Sequence, residues 1–156
     1  MCKQYRHYGA SEFNKDIFEP VKNRPYWIKP FGGLWGSPIP ETSSGWSQFC
    51  KDNEFRLRSL HQWFDFSLTD DAKVYTIANG TDILKLKDMG CCGVSHNTST
   101  YIFDLQVDWI NFEDLIILGY DAVECKLNHE TYWALYGWDC DSILVLNPDV
   151  IESLTK

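Results

Sequence analysis

The chain has 156 residues, 44% of them apolar and 15% aromatic, with 22 acidic against 14 basic residues and a formal net charge of −8. The apolar share excludes global disorder, the length suits one domain better than two, and the negative charge disfavours broad, non-specific binding to nucleic-acid backbones. No apolar run approaches the ~18 residues of a membrane-spanning helix, and Met1-Cys2-Lys3-Gln4-Tyr5-Arg6-His7 carries no apolar secretory segment.

These features predict a cytoplasmic chain with no membrane partner. The six cysteines, at positions 2, 50, 91, 92, 125 and 140, form no C-x-x-C pair. Reduced thiols and no metal site are expected.

In chain order, Gln4 to Tyr8 reads as a short strand. Ser11 to Phe18 reads as a helix, with Phe13, Ile17 and Phe18 at roughly helical spacing and Ser11 as its cap. Five of the six prolines fall between residues 20 and 40, which predicts extended chain and turns. Gly33 to Ser37 reads as a short strand and Ser44 to Cys50 as a helix. Gln62 to Leu68 and Lys73 to Ala78 both alternate with period two, and the intervening Asp70-Asp71 turn predicts a hairpin.

Asp82 to Leu86 suits a short helix, and Met89 to Thr100, with Gly90, Gly93 and several Ser and Thr, a loop. Asn111 to Leu118 reads as a helix stopped by Gly119. Tyr120 to Cys125 and the apolar run Ser142 to Leu146 read as strands, the second ended by Asn147-Pro148. Strands outnumber helices and mostly lack crossover helices between them, which predicts a mainly antiparallel α+β domain. His96 and His129 fall in polar loops and read as solvated.

Two patches can carry chemistry. Arg6-His7-Tyr8-Gly9 sets a histidine beside a glycine at a strand end, where a ring hydrogen bond can join close backbone approach to a ligand. Lys29 to Pro38, followed by Ser43-Ser44-Gly45-Trp46, sets Trp35 and Trp46 eleven positions apart among small residues. Two such rings can form a slot for a planar heterocycle, and a cationic ring gains further from their π faces. Core packing of both tryptophans is the competing reading.

Taken in order, His7-Tyr8-Gly9, Gly33-Leu34-Trp35-Gly36-Ser37, Ser43 with Trp46, Tyr120-Asp121-Ala122-Val123 and Asp141-Ser142-Ile143-Leu144-Val145-Leu146-Asn147-Pro148 resemble the ADP-ribosyltransferase fold. They are most similar to its His-Tyr-Glu branch, which contains the poly(ADP-ribose) polymerase catalytic domains and diphtheria-toxin-like enzymes. The resemblance spans both ends of the chain. It implies one small α+β domain over residues 1–156, a split, mainly antiparallel sheet flanked by short helices.

The resemblance also implies roles. His7 would hold the ribose next to nicotinamide, and the backbone of Tyr8 and Gly9 would meet the carboxamide. Trp35 and Trp46 would stack on the nicotinamide ring, with Ser37 beside them, and Ser43 would bond the carboxamide. The family glutamate is displaced: alignment on the last strand puts Ser142 in its slot, with Asp141 one residue earlier and Asp139 three earlier. A one-residue shift turns a strand side chain to the opposite face. Asp141 is the expected replacement acid, with Asp139 and Glu124 as alternatives.

The implied activity is mono-ADP-ribosyl transfer from NAD to a protein or nucleic-acid acceptor with release of nicotinamide, as in a toxin, phage effector or defence enzyme. NAD enters as substrate and no metal is implied. The ring-rich segment Thr131 to Asp139 resembles in position the acceptor-presenting loop, against a packed helix. The alternatives are a non-catalytic module binding NAD, ADP-ribose or a protein, an NAD glycohydrolase, and, without the resemblance, an aromatic platform for carbohydrate.

Overall fold

The computed structural model describes residues 3–24, 28–96, 105–135 and 138–154. Cys2 and parts of the extended, loop and ring-rich segments, at 25–27, 97–100 and 136–137, lie outside the described residues.

The strands are β1 (Gln4–Tyr8), β2 (Leu34–Pro38), β3 (Trp63–Leu68), β4 (Val74–Ile77), β5 (Cys92–His96), β6 (Leu105–Ile110), β7 (Ala122–Cys125), β8 (Ser142–Val145) and β9 (Ile151–Ser153). The helices are α1 (Trp46–Asp52), α2 (Gly80–Asp88), α3 (Phe112–Ile117) and α4 (Thr131–Ala134). Seven strands form one sheet in the order β4-β7-β8-β2-β1-β3-β9, and β5 pairs with β6 in a separate two-stranded sheet. The β4–β7 pair is parallel, and the other pairings of the described residues are antiparallel. The chain is therefore an α+β domain with a mostly antiparallel sheet and few helices.

The apolar run at β8 lies mid-sheet and is buried along its whole length. Side chains alternate across a strand, so Ile143 and Val145 join a cluster with Tyr5, Leu34, Phe64 and Phe66. Leu144 faces the other way, into a larger cluster built by α2, α3, β5 and β6. Gly36 on β2 is fitted to the first cluster: a Cβ there would come within 2.7 Å of the Phe66 ring. On the same side, Glu124 of β7 is buried and accepts hydrogen bonds from the Tyr5 hydroxyl at 2.8 Å and the Lys3 ammonium at 2.6 Å. Burial, reinforced by that carboxylate, raises the Tyr5 pKa well above the usual phenol value.

Three expectations about local structure need correction, and one strand has no counterpart among them. Ser11 to Phe18 forms only a single 3-10 turn at Lys15–Ile17, capped by Asn14 rather than Ser11. Phe13 and Phe18 pack on the core while Ile17 is 75% exposed, so no helical face is buried there. β3 and β4 do not form a hairpin. β3 sits between β1 and β9, whereas β4 lies at the far edge beside β7, because alternation marks a strand without naming its partner.

Cys92–His96, within the expected loop, is a strand paired antiparallel to β6. Its ladder partner supplies order that its own small and polar residues do not advertise. Finally, β9 follows the Asn147-Pro148 stop and pairs with β3 through three residues, too few for an alternating pattern. The α3 stop follows the expected pattern: Gly119 takes φ 91°, and its N–H and that of Tyr120 close onto Ile116 and Leu115.

Candidate functional site

The sheet parts between β1 and β2. The two strands pair at Tyr5↔Pro38 and Arg6↔Ser37. Beyond that point His7 and Tyr8 pair with Phe64 and Trp63 of β3, and Trp35 and Gly36 with Leu144 and Ile143 of β8. The His7 imidazole bridges the opening, its Nδ1 lying 2.6 Å from the Trp35 carbonyl. A carbonyl only accepts, so Nδ1 carries the hydrogen and Nε2 of the neutral ring keeps a lone pair. Burial lowers the His7 pKa, against the smaller raising effect of the Trp35 bond, which favours that neutral ring.

A cavity of about 430 Å³ opens at this parting, a size suited to a small-molecule ligand. Six of the expected residues line it: His7, Tyr8 and Gly9 from the end of β1, Trp35 and Ser37 from β2, and Trp46 from α1. Trp35 rests edge-on against Trp138, with ring centroids 5.0 Å apart. Trp138 is in turn held by its indole N–H, which donates to the Ile28 carbonyl at 3.0 Å. Trp46 stacks on Phe49 at 5.5 Å. Among the described residues the two tryptophans share the cavity wall without packing on each other.

Tyr8 is anchored through its hydroxyl, which donates to Glu41 at 3.1 Å. Burial and that carboxylate raise its pKa. Glu41 also accepts from the Ser47 hydroxyl and backbone N–H, tying the 39–45 connection to the first turn of α1. Trp46 and β1 are thus positioned by one carboxylate.

Of the three expected acids, Asp141 and Glu124 lie elsewhere and Asp139 faces the cavity. Asp141 does not line the cavity. One carboxylate oxygen accepts from the Leu127 N–H at 2.7 Å, the other from the Thr42 hydroxyl at 3.1 Å, and its own N–H donates to the Ser44 carbonyl at 2.8 Å. Glu124 is committed to Tyr5 and Lys3. Ser142, which the resemblance sets in the glutamate's slot, lines the cavity, and its hydroxyl donates to the Cys140 carbonyl at 3.1 Å. The carboxylate that faces the cavity among the described residues is Asp139, with the Lys29 ammonium 3.4 Å away.

Sequence reasoning did not single out Phe55, Arg56 and Ser59, which also line the cavity. Their available signal was charge: Arg56 and Arg58 stand close together in an acidic chain. Arg56 adopts a left-handed backbone, φ 48°, a strained conformation for a non-glycine residue. Its guanidinium lies over the Phe55 ring at 5.2 Å and makes no ion pair among the described residues. Arg6 is held by two bonds to Asp65, at 2.7 and 3.0 Å. Of the cations in the lining, Arg6 and Lys29 are thus paired, with Asp65 and Asp139, and Arg56 has no ion pair among the described residues.

Ser43 faces a second cavity of about 420 Å³, which also contains Ser44, His129, Tyr132 and Trp133 and meets the first at Asp139. In the ring-rich segment, α4 is a short helix whose Thr131 and Ala134 are buried. Cys50, Cys91, Cys92, Cys125 and Cys140 are free and buried. Burial pushes the Cys140 thiol up to about 12 and the Cys92 thiol to about 11, so neither is a ready nucleophile at neutral pH.

No helix among the described residues is long and apolar enough to cross a membrane. No known family, curated protein or solved structure matches this chain. The function is therefore argued from the cavity.

Proposed function

We propose that the chain is an NAD-dependent mono-ADP-ribosyltransferase that binds NAD where β1 and β2 part and transfers ADP-ribose to a macromolecular acceptor. One observation carries the reading: His7, Trp35 and Trp46, from three separate stretches, converge on a single cavity that Arg56 also lines. The resemblance set out from the sequence adds to it.

In this reading the nicotinamide ring lies between Trp35 and Trp46, where a cationic ring gains from the π faces. Nε2 of neutral His7 accepts a ribose hydroxyl, while the Trp35 carbonyl holds the ring orientation. Arg56 supplies charge for the diphosphate. Loss of nicotinamide breaks the bond between its ring nitrogen and the anomeric carbon, the electron pair going to the nitrogen and cancelling its charge. Positive charge then builds on the ribose, and Asp139 is the cavity's carboxylate to meet it. The acceptor nucleophile bonds to the anomeric carbon and releases a proton. Ser142, in the place of a glutamate, argues for single-unit transfer over polymer synthesis.

A second reading, a module that binds NAD or ADP-ribose without transfer, is favoured by the same serine and by the Lys29 ammonium beside Asp139. Nicotinamide release from NAD separates the two. Release that requires cell lysate supports transfer to a lysate acceptor. Release without lysate means hydrolysis or self-modification. No release, with NAD still raising the melting temperature, refutes the transferase and leaves the binding module.

A further inference from the structure

The second cavity joins carboxylates to exposed rings. Its described lining holds two carboxylates, Asp52 and the Lys29-paired Asp139, with His129 and the rings of Phe49, Tyr132 and Trp133, and no lysine or arginine. One Asp52 oxygen takes a hydrogen bond from Gln48 at 2.8 Å. Tyr132 and Trp133 meet edge to face, with centroids 5.0 Å apart and planes at 88°.

α4 turns these rings outward. Its small residues, Thr131 and Ala134, are buried, while Tyr132 and Trp133 are 49% and 64% exposed. Thr131 is fixed on both sides: its N–H donates to the Asn128 side chain at 3.2 Å and its hydroxyl to the Lys126 carbonyl at 2.8 Å. The rings therefore stand on an anchored turn beside the cavity, where a hydrophobic core would have taken them in.

Carboxylates next to an exposed aromatic face select a cation. The ring face attracts it through its quadrupole, and the carboxylates offer charge-assisted hydrogen bonds. A planar guanidinium meets both demands, stacking on an indole while its fork of N–H groups reaches a carboxylate. The same carboxylates repel a phosphate backbone.

We propose that this cavity holds a cationic side chain, an arginine guanidinium of a protein partner, against Trp133 with Asp52 as its counter-charge. The cation site stands on the second cavity alone. Its meaning as the docking point of a protein acceptor rests on the transferase reading above. Asp139 faces both cavities, so a chain docked here lies next to the donor site.

The test titrates the whole protein, without NAD, into a fluorescently labelled short peptide carrying one arginine, and into its citrulline twin, following anisotropy. The arginine peptide is expected to bind, and the citrulline peptide at least tenfold more weakly. Trp133→Ala and Asp52→Asn, both at exposed positions, each weaken binding about fivefold, the equivalent of ~1 kcal/mol for a cation–π or ion-pair contact. Ile17→Ser, at an exposed position outside the cavity lining, leaves it unchanged. Equal binding of the two peptides, or no binding at millimolar protein, overturns the cation site. A single-stranded oligonucleotide that binds through Trp133 overturns it in favour of a nucleic-acid surface. Thermal shifts with NAD, run in parallel, keep the two ideas apart. No arginine-peptide binding by the unaltered protein, with an intact NAD shift, sinks the cation site, whereas an absent NAD shift with intact peptide binding sinks the donor reading.

Discussion

Asp141→Ala removes the acceptors of two hydrogen bonds that hold three separate segments together. The bond to the Leu127 N–H, at 2.7 Å and partly buried, is the stronger. Bonds to a charged acceptor are worth ~1.5–3 kcal/mol, and the exposed Thr42 bond adds little. A loss of about 2 kcal/mol follows. A chain of this length moves ~2–4 °C in Tm per kcal/mol, so the midpoint should fall by about 6 °C. Asp141→Asn keeps an acceptor for Leu127 and should recover most of it.

Thermal unfolding followed by circular dichroism measures the shift. Nicotinamide release, assayed well below the variant's midpoint, should stay within about threefold of the parent, because Asp141 stands outside the cavity. An unchanged Tm together with a release rate down tenfold or more would refute the argument and return Asp141 to the ribose, since losing an electrostatic contact to a transition state costs at least that much.

Two further outcomes follow from the cavity. Trp35→Ala should weaken NAD by ~1–3 kcal/mol, taking base–aromatic stacking as the analogue, as measured by titration calorimetry. Unaltered affinity in a folded variant removes Trp35 from the site. His7 gives an acid limb. Its folded pKa lies below its unfolded value of 6.5, so the unfolded state takes up the proton first. The stability from neutral His7 is complete above about pH 6.5 and is lost as pH falls toward the folded pKa. Urea midpoints across that range should drop less steeply in His7→Asn, and NAD affinity should fall with protonation of Nε2. An acid limb identical in His7→Asn would assign it to another group.

Much of the local structure was legible in the sequence. β1, β2, β3, α1, α3 and β8 announce themselves by alternation, helical spacing or a continuous apolar run, because those patterns reflect one buried face or two. The order of His7, Trp35 and Trp46 along the chain likewise marked the stretches that meet at the cavity. What no local pattern carries is partnership. β4 pairs with β7 rather than β3, and β5 becomes a strand only because β6 lies beside it.

The carboxylates show the same division. Composition and position could nominate Asp139, Asp141 and Glu124, since each is an acid near the right strand. Tertiary structure alone decided what each one faces. Asp141 is claimed by Leu127 and Thr42, Glu124 by Tyr5 and Lys3 from the other end of the chain, and Asp139 borders both cavities. A side chain's chemistry is local, but its hydrogen-bond partners come from segments that only folding brings within reach.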